Sequence, residues 1–261
     1  MHPAELPGLK QGIGEVFIFE YKPAPMSQHD DVPGRKTCKA KMLQFLFLVL
    51  MLSSFPLCNW AQLAPPFWND VVAFKKQDSL HRPPMHPILF TGSSSFTRWT
   101  TLSADFPGYT VLNRAFGGST LLDLIRYAYD AIIPYQPKQV IIYCGDNDLA
   151  TPDSVSASEV INRFKTLFAI IRQNLPDATI DFVSIKPSPS RMGIIGRIRT
   201  VNDAVKHFLA SQTKAAFIDI YPSMVDEKGG PRESLFVGDR LHMNRDGYLI
   251  WKKKIGPYLL R

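Results

Sequence analysis

From residue 87 onward, short apolar runs alternate with longer stretches in which apolar residues recur every three or four positions. A short apolar run between turn residues is typical of a buried strand, whereas spacing of three and four is typical of a helix with one buried face. The apolar runs predict five strands, at residues 88–91, 110–113, 139–143, 179–185 and 215–220. The periodic stretches predict four helices, at residues 120–131, 157–174, 195–211 and 246–259.

The longest predicted helix shows its pattern most clearly. Val160, Phe164 and Leu167 are spaced by three or four and fall on one face. Ser156 stands just before this helix and Glu159 three residues later. This spacing predicts a capping box, in which each side chain accepts a hydrogen bond from the backbone N–H of the other residue.

Strands that alternate with helices predict an α/β fold with a parallel five-stranded sheet and helices on both faces. Such sheets bind their ligands beyond the carboxyl ends of the strands, near the point where the strand order reverses. Residues 62–86 contain two Pro-Pro pairs, and we expect them to form an irregular lead-in wrapped on the domain. The sequence therefore predicts one domain at residues 62–261.

The first 61 residues lack this alternation. Lys36, Lys39 and Lys41 precede an apolar run, and a positive stretch followed by an apolar one is the layout of a secretory signal peptide. We therefore predict a signal peptide at residues 42–61, preceded at 1–41 by an extension to which no function is assigned.

The expected location is secreted or periplasmic, after cleavage before Gln62. The apolar run is short for a membrane span, which needs about 20 residues, and Pro56 interrupts it. We therefore expect no stable membrane span in the mature chain. Retention in the membrane through residues 42–58 is the alternative.

The formal net charge is +7 at pH 7, and the basic residues are spread along the chain. Nucleic-acid binding would require a basic stretch interleaved with aromatic residues, or a known motif. We therefore expect no nucleic-acid partner. The charge supports a mild attraction for anionic substrates or surfaces.

Four short segments carry polar residues that could form a site on such a sheet. Three of them follow predicted strands, and the fourth lies in a loop before the last predicted helix. They are Gly92-Ser93-Ser94, Asn113-Arg114-Ala115-Phe116-Gly117-Gly118, Gly145-Asp146-Asn147-Asp148 and Asp239-Arg240-Leu241-His242. Together they supply a hydroxyl, an imidazole, a carboxylate and donors for an oxyanion, which are the groups that cleave an ester.

These segments resemble the four characteristic blocks of the GDSL, or SGNH, hydrolases, and the resemblance covers about residues 86–259. It implies a flavodoxin-like three-layer fold and the hydrolysis of esters of lipids, glycans and other small acyl carriers. The implied nucleophile, base and carboxylate that orients the base are Ser94, His242 and Asp239. The implied oxyanion hole is formed by Ser94, Gly118 and Asn147.

The chain departs from this family at Ser93, because the family has aspartate there, in the triplet Gly-Asp-Ser. A serine can still cap the turn, so we expect altered local hydrogen bonding without loss of the chemistry.

Elementary chemistry agrees with the implied roles. A serine hydroxyl attacks an ester only when a base takes its proton, so Ser94 requires an imidazole. His242 stands three residues after Asp239, so the carboxylate can hold Nδ1–H and leave Nε2 facing Ser94. Gly118 has no side chain, so its backbone N–H can closely approach the oxyanion. Asn147 offers a side-chain amide as a second donor. Glycine and asparagine are equally typical of an ordinary turn, so that alternative stays open for both.

Asp146 and Asp148 suggest a cation site, but no full loop of oxygen ligands follows them. We therefore predict no metal and no cofactor.

The leading hypothesis is an exported serine esterase that acts through an acyl-enzyme on a small-molecule or glycan ester, preferably removing acetyl groups from carbohydrate. The alternatives are a lysophospholipase or thioesterase, and a non-catalytic carbohydrate-binding protein on the same fold. Arg191 is a candidate for contacting an acidic or sugar group, with a solvated loop arginine as the alternative. The oligomeric state is not predicted.

Overall fold

The computed structural model describes residues 64–150 and 155–261. The expected extension at residues 1–41 and signal peptide at 42–61 lie outside them. Five strands form one sheet in the described chain: β1 Ile88–Gly92, β2 Val111–Asn113, β3 Gln139–Tyr143, β4 Thr179–Val183 and β5 Ala215–Ile218. All neighbours are parallel, and their order is β2-β1-β3-β4-β5. This order is that of flavodoxin-like folds, so the predicted fold class is confirmed.

The helices of the described residues lie between and after these strands. They are α1 Trp68–Leu80, α2 Ser94–Thr97, α3 Leu102–Asp105, α4 Leu121–Arg126, α5 Ala128–Ala131, α6 Asp146–Ala150, α7 Ala157–Asn174, α8 Ile195–Ala210 and α9 Arg245–Ile255. Short 3₁₀ helices occupy Ile133–Tyr135, Pro189–Ile194, Tyr221–Met224, Glu233–Leu235 and Gly256–Tyr258. Among the described residues, no helix combines the length and the apolar character needed to cross a bilayer.

The core lies in two layers, one on each face of the sheet. Successive residues of a strand point to opposite faces, and in β1 Leu89 joins one buried cluster while Phe90 joins the other. The first cluster contains buried residues of α4, α5, α7 and α8. The second contains those of α2, α3 and α9, including Phe96 and Trp251. The predicted three-layer arrangement follows from this alternation.

The prediction of an irregular lead-in at residues 62–86 is wrong, because residues 68–80 form helix α1. The sequence gives little sign of it, since its apolar residues do not form a stripe. Contacts with distant residues fix it instead. Val71 is buried in the first cluster, and the carboxylate of Asp78 pairs with the buried guanidinium of Arg114.

The helix predicted at residues 120–131 is two short helices, α4 and α5. They meet at Tyr127, whose φ and ψ are −105° and 15°. The Tyr127 hydroxyl donates a hydrogen bond to the carbonyl oxygen of Pro66, at 2.7 Å. The last predicted helix ends at Ile255 and continues as a 3₁₀ turn, because Pro257 has no N–H to extend the α-helical pattern.

The capping box predicted at Ser156 forms only in part. The Ser156 hydroxyl accepts a hydrogen bond from the N–H of Glu159, at 3.2 Å. The Glu159 carboxylate instead accepts from Arg163 Nε, at 3.0 Å. A complete box caps α4, between Thr120 and Asp123.

Candidate active site

The three strand-end segments meet at one edge of the sheet. Ser94 follows β1, Gly118 follows β2 and Asn147 follows β3, and these strands are neighbours in the order β2-β1-β3. The chain leaves β1 towards β2 on one side and returns to β3 on the other. This is the reversal of strand order where α/β sheets bind ligands.

Gly92 fixes the turn that leads to Ser94. Its φ is +138°, and a Cβ on it would lie 1.9 Å from the carbonyl oxygen of Tyr143. No other residue fits without separating β1 from β3. The N–H of Ser93 donates to that same Tyr143 oxygen at 3.0 Å, so the chain turns sharply and Ser94 opens α2.

Ser94, His242 and Asp239 form one line of hydrogen bonds. The distance from Ser94 Oγ to His242 Nε2 is 2.8 Å, and that from His242 Nδ1 to Asp239 Oδ2 is 2.6 Å. Ser94 is half-buried, and 12% of the His242 side chain is exposed. This geometry lets the imidazole take the serine proton while the carboxylate orients the ring.

The turn 239–242 prepares Asp239 for this position. Asp239 Oδ1 accepts hydrogen bonds from the N–H of Leu241 at 2.9 Å and of His242 at 2.8 Å. Desolvation tends to raise the pKa of Asp239, but the hydrogen bonds from the His242 backbone and ring and from Leu241 outweigh it and hold that pKa well below its usual range. The carboxylate is therefore ionised when it faces the imidazole. Arg98 adds a positive charge 4.0 Å from Asp239 Oδ2.

The structure distinguishes Ser94 from the serines on either side of it. The hydroxyls of Ser93 and Ser95 are buried and have no hydrogen-bond partner, whereas that of Ser94 meets His242. The expectation that Ser93 caps the turn is wrong, because its side chain makes no capping hydrogen bond although it stands at the N-cap of α2. Ser93 is buried in the packed interior, with 1% of its surface exposed.

Gly118 and Asn147 are brought together beside the nucleophile. A Cβ on the neighbouring Gly117 would lie 3.8 Å from Ser94 Cβ, and Gly118 has a φ of +87°. Asn147 Nδ2 donates to the carbonyl oxygen of Ser119 at 3.0 Å, which ties the third segment to the glycine turn. An amide nitrogen carries two hydrogens, so Asn147 has one more to offer.

Asp146 and Asp148 bind protein groups rather than forming a cation site. Asp148 accepts from the N–H of Leu121 at 3.0 Å and from Arg163 at 2.9 Å, and desolvation by burial raises its pKa. Asp146 faces Lys186 at 3.3 Å. Within residues 64–150 and 155–261, no three His, Cys, Asp or Glu side chains are grouped closely enough to hold a metal ion.

Arg191 lies in the 3₁₀ turn Pro189–Ile194, next to the loop that carries the imidazole. The N–H of Ser190 donates to the carbonyl oxygen of Arg240 at 3.0 Å. Arg191 is half-buried, and its Nε is buried without a hydrogen-bond partner. This nitrogen is shielded from solvent, and the role of Arg191 towards a substrate stays a prediction.

Two residues at the site were not expected from the sequence. Lys186 follows β4 and is fully buried; its place just after a predicted strand was the available signal, by the same strand-end rule that selected Asn147. Phe67 lies in the lead-in, with its ring 3.9 Å from the position of a Cβ on Gly118. Its φ of +65° is uncommon for an aromatic residue. No local sequence pattern predicts that Phe67 lies at the site.

Comparison with known proteins agrees with this geometry. Residues 81–250 match the sequence model of the GDSL-like Lipase/Acylhydrolase family. The chain belongs to this family. The matched region includes Ser94, Gly118, Asn147 and His242, so it contains the candidate site.

One curated protein shares a moderate sequence identity with part of this chain. Subunit alpha1 of platelet-activating factor acetylhydrolase IB from Bos taurus is 26% identical over 153 residues, which are 58% of this chain and 63% of the relative. The chain thus spans less than two thirds of that relative's length.

Solved structures resemble the GDSL fold of this chain at low sequence identity. A protein of Streptococcus pneumonia named after platelet activating factor is 18% identical, with a TM-score of 0.65 over 85% of this chain and 99% of its own. A GDSL-like lipase of Bacteroides thetaiotaomicron is 18% identical, with a TM-score of 0.63 over 72% and 96%. The acetylxylan esterase Axe2 of Geobacillus stearothermophilus is 16% identical, with a TM-score of 0.54 over 66% and 93%. At these identities the likeness shows the fold.

Proposed function

We propose that this protein is an exported serine esterase that removes small acyl groups, above all acetyl, from carbohydrate. The observation that carries the esterase chemistry is the line of hydrogen bonds from Ser94 Oγ through His242 to Asp239. The same line argues against a non-catalytic carbohydrate-binding protein, which has no need of a serine aligned on a base.

The reaction follows from the positions of these three side chains. His242 Nε2 takes the proton of Ser94 Oγ as that oxygen bonds to the ester carbonyl carbon. The imidazolium, stabilised by the ionised Asp239, then gives the proton to the leaving alcohol as its bond to the carbon breaks. Water repeats the two steps on the acyl-enzyme, with His242 again as the base, and releases the acid and free Ser94.

The negative charge that develops on the carbonyl oxygen needs donors that are already in place. We assign them to the backbone N–H of Ser94, the backbone N–H of Gly118 and the second amide hydrogen of Asn147. The bond from Asn147 to Ser119 supports this assignment, because it fixes the amide beside the glycine turn before substrate arrives.

The preference for acetyl rests on two observations. Two of the proteins that this chain resembles, Axe2 and the bovine acetylhydrolase, are named for acetyl groups. The Phe67 ring stands against Gly118 and packs on Phe116 at 5.4 Å between ring centroids. A bulky ring at the proposed oxyanion turn leaves less room for a long acyl chain.

Arg191 is proposed to bind an oxygen-rich part of the alcohol, such as an acidic or hydroxyl-bearing sugar. Its buried Nε lacks a partner in the protein, and a buried donor without a partner is costly. A substrate oxygen would satisfy it, beside the loop that carries His242.

The test of the esterase is hydrolysis of para-nitrophenyl esters from acetyl to long acyl chains. We expect the highest rate on acetate, and a loss of at least about 10⁴-fold in kcat for Ser94→Ala, because the nucleophile is removed. Ser93→Ala is the matched control, since its hydroxyl has no hydrogen-bond partner. It should keep most of the activity.

Each outcome of this test separates the hypotheses. Rates that rise with acyl length would favour the lysophospholipase or thioesterase. Turnover that survives in Ser94→Ala would exclude the assignment of the nucleophile. Binding of acetylated xylan by wild-type protein without release of acetate would favour the carbohydrate-binding protein.

Export is supported by the sequence of residues 36–61, in which Lys36, Lys39 and Lys41 precede an apolar run. Expression of the whole chain in a bacterial host, followed by fractionation and N-terminal sequencing, tests it. We expect a mature protein outside the cytoplasm that begins at Gln62. An uncleaved chain in the membrane fraction would favour the anchor at residues 42–58.

A further inference from the structure

Lys186 carries a buried charge next to the proposed oxyanion hole. Only 1% of its side chain is exposed. Its ammonium donates to the hydroxyl of Tyr143 at 3.0 Å and to Asp146 Oδ2 at 3.3 Å. The Tyr143 hydroxyl in turn donates to the same carboxylate oxygen at 3.3 Å. Lys186 and Asp146 are thus a buried ion pair, with Tyr143 bound to both.

The backbone before Lys186 is fixed independently of this ion pair. The side chain of Asn202, in α8, accepts from the N–H of Ile185 at 2.8 Å and donates to the carbonyl oxygen of Ile185 at 2.9 Å. Asn202 is itself almost fully buried. Asn202 therefore holds both the N–H and the carbonyl oxygen of Ile185, and this fixes the backbone from which the Lys186 side chain extends.

The fold alone gives little reason for this ion pair. Burial lowers the pKa of Lys186, and the Asp146 carboxylate acts against that effect. Replacing a buried ion pair by apolar side chains of similar size is often neutral or stabilising. A pair that adds little to stability, and that lies at the carboxyl edge of the sheet, points to a role in the site.

Asp146 connects the ion pair to the proposed oxyanion donor. While Oδ2 faces Lys186, Oδ1 accepts the backbone N–H of Asn147 at 3.0 Å. The side chain of Asn147 is held at its other end by the Ser119 carbonyl oxygen. Asn147 is thus fixed through its backbone by one contact and through its amide by another, and the first depends on Asp146.

We infer that Lys186 is a positioning residue for the oxyanion hole: it fixes the Asp146 carboxylate, which fixes the backbone of Asn147 and so directs the Asn147 amide at the substrate carbonyl. This inference rests on the proposed function. An oxyanion donor is useful only when it already points to where the charge develops. Removing Lys186 should therefore lower kcat with little effect on KM, because the oxyanion hole stabilises the transition state more than it binds the substrate in its ground state.

The test is a double-mutant cycle in the whole chain, with wild type, Lys186→Met, Asn147→Ala and the double variant. The readouts are kcat and KM on para-nitrophenyl acetate, with the folded fraction taken from thermal unfolding. Lys186→Met should lower kcat by about 10- to 100-fold, less than the ~10²–10³ for loss of a whole donor. In the Asn147→Ala background, the same change should lower kcat less than about threefold, because the donor is already absent.

Methionine at 186 leaves Asp146 buried without its partner, and this cost could prevent folding. The paired change Lys186→Met with Asp146→Asn removes both charges, and the cycle repeated with it should show the same dependence on Asn147. Asp181→Asn is the control for the removal of a buried charge, since Asp181 contacts Gln139 rather than the site. It should leave kcat unchanged.

The inference and the proposed function fail in different ways. Equal losses of kcat from Lys186→Met with and without Asn147 would show a merely structural role and overturn this inference alone. An unchanged kcat in folded Lys186→Met would do the same. Wild-type protein without Ser94-dependent turnover of any ester would overturn the proposed function and this inference with it.

Discussion

Replacing Asp181 by asparagine should stabilise the protein at neutral pH but not in acid. Asp181 lies in β4 and is 1% exposed. Its Oδ2 accepts a hydrogen bond from Gln139 Nε2 at 2.6 Å, whereas its Oδ1 has no partner. Burial raises the pKa of this carboxyl from 3.8 to about 6, because the ionised form loses more hydration than it regains in hydrogen bonds.

The magnitude follows from the two pKa values. The raised pKa means that the folded state binds the proton more tightly than the unfolded state. The resulting stabilisation is complete below pH 3.8 and is lost as the pH rises through about 6. At about 1.4 kcal/mol for each pH unit, the loss is about 3 kcal/mol. Asparagine does not ionise and avoids this loss, but its amide hydrogens face the position of Oδ1 and cost about 1–2 kcal/mol if they find no acceptor.

Asp181→Asn should therefore be more stable than wild type by about 1–2 kcal/mol at pH 8, and no more stable than wild type at pH 4. In a domain of this size, the gain at pH 8 corresponds to a rise in Tm of about 2–8 °C. Urea unfolding at both pH values, followed by the fluorescence of the buried Trp99 and Trp251, measures the difference.

The matched control is Asp177→Asn, at an exposed aspartate that pairs with Lys214. It should give no stabilisation at pH 8. A difference in unfolding free energy between wild type and Asp181→Asn that is the same at pH 4 and pH 8 would refute the reasoning, because it would mean that Asp181 titrates alike in the folded and unfolded states.

Two further predictions concern the site. Asp239→Asn should lower kcat on para-nitrophenyl acetate by about 10²- to 10⁴-fold, less than Ser94→Ala, because the base stays in place but loses the charge that orients and stabilises it; an unchanged kcat would contradict the role of Asp239. Phe67→Ala should lower the ratio of acetate to hexanoate hydrolysis by about tenfold, the lower end of what a single methylene accommodated in a pocket is worth; an unchanged ratio in folded protein would place the acyl chain elsewhere.

Several features of the molecule were predictable from short stretches of sequence. The alternation of strands and helices follows from periods of two and of three to four, which are local properties. Helix α7 has the bounds 157–174 that its apolar spacing predicts. The pairing of Asp239 with His242 was also predictable, because three residues of a turn suffice to bring the carboxylate to the ring.

Other features depend on residues that are far apart in the chain. Helix α1 lacks an apolar stripe, and its position depends on contacts such as that between Asp78 and Arg114. Ser93 occupies an N-cap, but the packing around it leaves its hydroxyl without the capping bond that its residue type favours.

The sequence by itself determined the five strands and the long helices α7, α8 and α9, because each depends on the apolar spacing of neighbours a few positions away. Only the tertiary structure left the Ser93 hydroxyl without a hydrogen-bond partner, and it alone placed Lys186 beside Asp146, 40 residues away in the chain. The physical reason is that burial and ion pairing depend on every group packed around a side chain, and the fold brings most of those groups from distant parts of the chain.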